Sequence, residues 1–350
     1  MVDWSLARRI ARLAAGSPDA PSLDVDLAAL AREMEPRVAD HTGLALARPA
    51  PEVELLDRAQ WADMNLTALA GLLDPVAARL EDRLAFAGPL AGALQAAARA
   101  TLAAEVGLVM GYVSTRVLGQ YELSLLQPEV EPRLVLVTPN LARAVRELEV
   151  DRDSFLGWVV IHELTHVFQF QGVPWLRGHV AGLVREYLET VEVRIERGAA
   201  GGPPSLPDLS KLVETFREGG LMGLVQTEEQ QALMGRLQAT MAVIEGYSEH
   251  VMDVLGAELL EAYDGLRAAM DRRRRSRSAP ERMLERLLGL DLKMRQYERG
   301  KRFCDAVSAR GGREALNRVW EGPGALPSAS ELERPEAWLE RVAGSAPAAA

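Results

Sequence analysis

The stretch from Asp151 to Gln171 constrains this chain more than any other part of it. It reads as a single helix with an apolar body of Phe155, Leu156, Trp158, Val159, Val160, Ile161, Leu164, Val167 and Phe168. Gly172 and Pro174 follow and supply ordinary helix-stop chemistry. A helix this apolar is buried at the centre of its domain. Yet residues 162 to 166 are His-Glu-Leu-Thr-His, and polar groups in such a helix are costly without a metal or hydrogen-bonding partners.

Positions i and i+4 lie one turn apart on one helix face, so His162 and His166 can share one metal ion. Glu163 can then reach a water on that ion and act as general base, because a bound zinc lowers the pKa of water towards neutrality. The whole chain has five histidines, which makes a chance match to this pattern rare. The plain alternative is a hydrogen-bonded polar cluster that holds no metal.

The rest of the sequence reads mainly as helix, rich in Ala, Leu, Arg and Glu, with Pro and Gly between the periodic segments. Breaks are expected at 16–21, 41–51, 198–207 and 277–280, and the tail from Gly344 to Ala350 should fray. Strand signals are few. Thr115 to Leu125 mixes β-branched and aromatic residues, with Gly119 as a bulge or bend. Leu134 to Val137, ended by Thr138-Pro139-Asn140, reads as a short buried strand. A second long helix is expected from Thr227 to Leu255, with Leu233, Leu237, Met241 and Ile244 as its apolar stripe. The expected fold is therefore α+β, predominantly helical, with a small sheet beside the His-bearing helix. It is read as a single unit over 1–350, in which a helical region 1–104 and a helical region 261–350 wrap a metal-binding core 105–260.

Charge and cysteine content exclude some functions. A net charge of -10 argues against general affinity for nucleic acid or anionic membranes. The single cysteine, Cys304, cannot form an internal disulfide and reads as a core thiol in a helix spanning Tyr297 to Val307. No uninterrupted apolar segment of a secretory signal follows Met1, and no apolar run is long enough to span a bilayer, so the cytoplasm is the expected location. The arginines at 272–275 and 277 read as a solvated helix end or loop. Nothing in the sequence sets an oligomeric state.

A catalytic zinc site takes three protein ligands and keeps one position open. His41, His179, His250 and any carboxylate are candidates for the third. The segment Ile244-Glu245-Gly246-Tyr247-Ser248-Glu249 resembles the later helix of glutamate-type zincins. There a glutamate ligand is commonly followed by small residues at +1 and +3 and an acid at +4. Glu245 fits that pattern, with Gly246 and Ser248 letting its helix pack close to the His-bearing one and Glu249 accepting a ligand histidine's second N–H. Glu249 as the ligand, with Asp253 behind it, is the competing assignment. Tyr247, His250, Arg177 and His179 are donors by type for a developing oxyanion.

A wider resemblance runs over nearly the whole chain. Its elements are Val2-Asp3-Trp4, Leu118 to Tyr121, Leu136 to Asn140, His162 to His166, Pro174 to His179, Glu245 to Tyr247, Met252-Asp253, and Leu316 to Glu321. Together they resemble a bacterial family of zincin-like proteins, whose members are labelled as candidate hydrolases or as associated with deazaflavin-coenzyme biosynthesis. The resemblance implies a mostly helical zincin-like fold with a metal site. The sequence carries neither a glycine-rich dinucleotide fingerprint nor a P-loop. The expectation is metal-assisted hydrolysis of a peptide or other amide with one zinc ion. The alternative is a zincin-fold binding or scaffold protein without turnover, and a weaker one a metal-free helical structural protein.

Overall fold

The computed structural model describes residues 2–16, 23–83, 91–127, 129–190, 228–275 and 290–344. The expected breaks at 198–207 and 277–280, and Arg277, lie outside the described residues. The chain divides into two compact units, residues 1–172 with 251–273 and residues 173–250 with 274–350.

In the first unit, helices α1 (Trp4–Ala15), α2 (Leu27–Thr42), α3 (Arg58–Arg83) and α4 (Ala91–Ser114) surround a three-stranded sheet. The strands are β1 (Val53–Leu56), β2 (Gly119–Glu122) and β3 (Arg133–Val137), in the order β1-β3-β2. β3 pairs parallel with β1 and antiparallel with β2. Leu134 to Val137 are almost fully buried, as expected of a central strand with neighbours on both edges. β1 carries too short and too charged a pattern (Val-Glu-Leu-Leu) to stand out in the sequence. β3 supplies its register, and Arg133 clamps Glu54 through two hydrogen bonds of 2.8 and 2.5 Å.

Small residues bring the helices of this unit together. Asp3 caps α1 by accepting from the Leu6 N–H at 2.9 Å, and the Ala7, Ala11 and Ala15 face of α1 is buried. That face lies on Gly107 and Gly111 of α4, where a Cβ would come within 2.6 Å of Ala7 O and 2.5 Å of Ala14 Cβ. Helix α5 (Thr138–Leu148) follows β3 without a loop. Its Asn140 is buried and donates to the carbonyls of Ser114 and Val117 at 2.8 and 2.6 Å, while accepting from Arg58 Nε at 2.7 Å. One amide thus satisfies the last carbonyl of α4, which the helix itself leaves open, and the Val117 carbonyl of the turn leading into β2.

Helix α6 (Arg152–Gly172) runs through the middle of the unit, with all but a few of its residues from Ser154 to Gln171 buried. Asp151 starts it by accepting from the Ser154 N–H at 2.7 Å. The long helix α8 (Glu228–Leu259) contributes residues to both units, and its end with helix α9 (Tyr263–Arg275) belongs to the first. There Gly157 leaves room for Leu260, whose Cδ2 would lie 2.9 Å from a Cβ at 157. Asp253 ties α8 to α9, accepting from Tyr263 Oη at 2.7 Å and Arg267 Nη1 at 2.9 Å.

The second unit holds α7 (Leu176–Thr190), the first part of α8, and helices α10 (Leu290–Asn317), α11 (Ala329–Leu332) and α12 (Pro335–Gly344). α10 breaks at Gly312, where φ is 73°, a value that glycine adopts without a Cβ penalty. Cys304 is fully buried in α10, and burial pushes its thiol pKa up, which makes it an inert core residue. α8 and α10 touch backbone to backbone. A Cβ on Gly246 would meet Gly300 C at 2.1 Å, and one on Gly300 would meet Ala242 O at 1.7 Å. No helix among the described residues is long and apolar enough to cross a membrane.

This packing generates a test with two opposite signs. Gly300→Ala should destabilise the protein by about 3 kcal/mol, since neither backbone can give way. Gly182→Ala in α7, where a Cβ meets nothing within 4 Å, should stabilise it by about 0.5–1 kcal/mol through helix propensity. Urea unfolding of the two variants reads both, and equal effects would mean that α8 and α10 do not touch.

Candidate metal centre

The apolar body of α6 holds the helix in the core, so its register decides which side chains share a face. His162 and His166 fall one turn apart and are half-buried. Their Nε2 atoms stand 3.2 Å apart, with the rings edge to face. His166 Nδ1 lies 2.9 Å from Gln169 Oε1. An amide carbonyl only accepts, so Nδ1 carries the proton and the Nε2 lone pair is left facing His162. Two imidazole nitrogens held this way suit a shared cation.

Gln169 is fully buried and did not emerge from the sequence. The available signal was position: residue i+3 from His166 lies on the same helix face. Glu249 is buried on α8.

Glu163 is 6% exposed, and its surroundings explain the glycine in β2. A Cβ at Gly119 would stand 2.9 Å from both Glu163 Cγ and Glu163 Oε1, and 2.8 Å from Leu136 Cδ2. Gly119 pairs in register with Leu136, so it is neither the bulge nor the bend expected from the sequence. It is a glycine because the carboxylate of Glu163 lies against the strand backbone. Further along β2, Gln120 exchanges two amide hydrogen bonds with Asn65 of α3, at 3.2 and 3.1 Å. Tyr121 Oη accepts from Gln171 Nε2 at 3.2 Å. These contacts tie β2 to α3 and α6 and fix the strand against the face of α6 that carries Glu163.

Glu245 sits half-buried on α8. One ligand atom each from His162, His166 and Glu245 lies within 4.8 Å of the others, so this group could hold a metal ion. Two imidazoles and one carboxylate are the donor set of a three-ligand site that leaves a position open. The small residues after Glu245 have their own contacts: Gly246 admits α10 through Gly300. Ser248 donates to its own helix at Ile244 O, 3.1 Å away.

Several of the quoted sequence elements converge inside the second unit. Tyr247 is buried, donates its hydroxyl to Asn317 Oδ1 at 2.8 Å, and meets the Trp320 ring edge to face at 5.1 Å. Burial pushes its hydroxyl pKa up. Trp175 Nε1 donates to Trp320 O at 2.9 Å. His250 Nδ1 donates to Asp305 Oδ1 at 2.8 Å, and Lys301 Nζ donates to Asp305 Oδ2 at 2.6 Å. Burial alone would raise the Asp305 carboxyl, but these two bonds hold it below the ordinary carboxylate range. His179 stacks its edge on Trp175 at 5.8 Å and lines a cavity of the second unit. Burial, then the charge of Arg236, lowers its pKa. Arg177 is half-buried on α7, beside these residues in sequence. Asp253, proposed in one assignment to stand behind Glu249, is engaged by Tyr263 and Arg267.

Comparison with known proteins follows the same lines. A family model described as zincin-like metallopeptidase matches residues 2–339. The chain is similar to a candidate hydrolase with a novel fold from Chloroflexus aurantiacus, known from its crystal structure. The two are 29% identical with a TM-score of 0.73, and the match covers 99% of this chain and 100% of that one. No curated protein matches the chain.

The Gln169 contact carries its own prediction. Gln169→Leu should weaken zinc binding by about 10–100-fold, as loss of a partner behind a ligand histidine generally does. Competition against a chromogenic chelator measures this, with circular dichroism confirming an intact fold. Unchanged affinity would mean that the His166 tautomer is set elsewhere.

Proposed function

This chain belongs to the zincin-like metallopeptidase family, and from that membership and the site's geometry we propose that it is a zinc-dependent hydrolase acting on a peptide or related amide bond. The observation that carries the reading is the grouping of His162, His166 and Glu245, with ligand atoms within 4.8 Å of one another, next to the buried Glu163 carboxylate. In the proposal His162, His166 and Glu245 hold one zinc ion, and Glu249 is the alternative third ligand. Bound there, zinc supplies a Lewis acid and an acidified water.

The remaining chemistry belongs to the chain. Glu163 takes the proton of the attacking water and passes it to the leaving nitrogen, a general-base then general-acid cycle on one carboxylate. Its seat against Gly119 limits the directions in which the carboxylate can swing. Gln169 keeps the His166 Nε2 lone pair available. β2 supports a peptide over a compact substrate. It is one of the two edge strands of the sheet, the one against Glu163, and such an edge offers backbone donors and acceptors to an extended chain.

Metal content and turnover test the reading. Elemental analysis should find about one zinc per chain, retained in Glu249→Ala and lost in Glu245→Ala; the reverse would exchange their roles, and no zinc in any form would remove the hydrolase reading. Glu163→Gln should keep its zinc and lose amide hydrolysis by about 10²-fold or more. Gly119→Ala, which crowds Glu163, should lower kcat while zinc content stays constant. A zinc-loaded protein without turnover on a peptide library would instead be the binding or scaffold protein.

A further inference from the structure

A cavity of about 940 Å³ opens in the second unit, lined by α7, α8 and the segment from Pro323 to Arg341. Its charges are unevenly satisfied. Arg341 is consumed by Glu331, at 2.6 Å, and by the carbonyls of Gly324 and Leu326 at 2.7 and 3.0 Å. Glu331 is further held by the Ser328 N–H at 2.8 Å as part of the capping box of α11. The one carboxylate lining the cavity is therefore already neutralised.

Arg236 of α8 and Arg334, between α11 and α12, line the same cavity. Among the described residues, neither guanidinium has a carboxylate partner. His179 faces in from α7, close enough to Arg236 for that charge to depress its pKa after burial has done so. Ser330 adds a hydroxyl, 3.1 Å from that of Ser328. Both arginines are exposed and line one concavity, in a chain with net charge -10. Guanidinium groups offer planar forks of donors that match oxyanions, and a concave wall lowers the screening of their charge.

We propose that this cavity is an anion-binding site for a small molecule bearing a doubly charged oxyanion, gripped by Arg236 and Arg334 with His179 and Ser330 as neutral partners. It is built from residues of the second unit only, none of them in the His-Glu-Leu-Thr-His motif, so its binding can be read without zinc or turnover.

The test is isothermal titration calorimetry on the full-length protein with inorganic phosphate and, separately, succinate. At least one should bind saturably, and the tighter of the two identifies a phosphate or a dicarboxylate as the ligand type. Arg236→Gln and Arg334→Gln should each weaken that binding about tenfold or more. Arg310→Gln, an exposed position on α10, should leave it unchanged and controls for net charge. Absence of saturable binding by either anion at millimolar concentration would overturn the proposal. So would binding that survives both substitutions, since the anion would then sit elsewhere, for example at the metal.

Discussion

The cost of placing two imidazoles and a carboxylate in the middle of an apolar helix governs the first unit. α6 is buried along nearly its whole length, so each polar group on it needs a partner supplied from within the protein. The partners are specific. His166 has Gln169 one turn on, and Gln171 has Tyr121 on β2. Glu163 has the bare backbone of Gly119 beside it. Other positions of the unit serve the same end less directly. Asn140 closes the exit of α4 so that the chain enters β2 at the right place, and the Asn65–Gln120 amide pair holds that strand where Glu163 meets it.

Small residues do the complementary work of close approach. The Ala face of α1 against Gly107 and Gly111 keeps two helices near backbone contact, and Gly246 against Gly300 does the same for α8 and α10. At such distances packing is intolerant, because a methyl group has no side chain to displace and must move a backbone. Glu245 therefore stands on a helix whose position is set by a neighbour one residue along, a rigid support for a side chain in a group that could hold a metal ion. The motif containing Tyr247, Asn317, Trp320 and Trp175 reinforces it through ring contacts and hydrogen bonds. These residues brace the helices of the second unit, with the tyrosine hydroxyl spent on Asn317.

The sequence was legible where chemistry and periodicity coincide. The helix from Asp151 to Gln171 is observed as Arg152 to Gly172, and the helix from Thr227 to Leu255 as Glu228 to Leu259. Leu134 to Val137 form the central strand. A mostly helical protein with a small sheet follows from those patterns, because an apolar helix must be covered and a short β-branched run must be paired. β1 was illegible, since four residues with a charge among them carry no signal without the partner strand. Gly119 was visible as a glycine but misread as a bend, because a bend and a close approach look alike in one dimension.

By itself the sequence determined the two imidazoles and the carboxylate of the motif. Their spacing on a helix is set by covalent geometry and the 3.6-residue turn, which no tertiary contact alters. It also determined that this helix is buried, because its apolar residues face every direction. Only the tertiary structure decided which distant residues complete the surroundings. Glu245 falls into one group with His162 and His166 that could hold a metal ion, Gly119 lies against Glu163, and Gly246 lies against Gly300. Those outcomes depend on how helices cross and on which small residues let backbones meet. Such distances are sums over many contacts far apart in the chain, and a residue's local pattern carries no record of them.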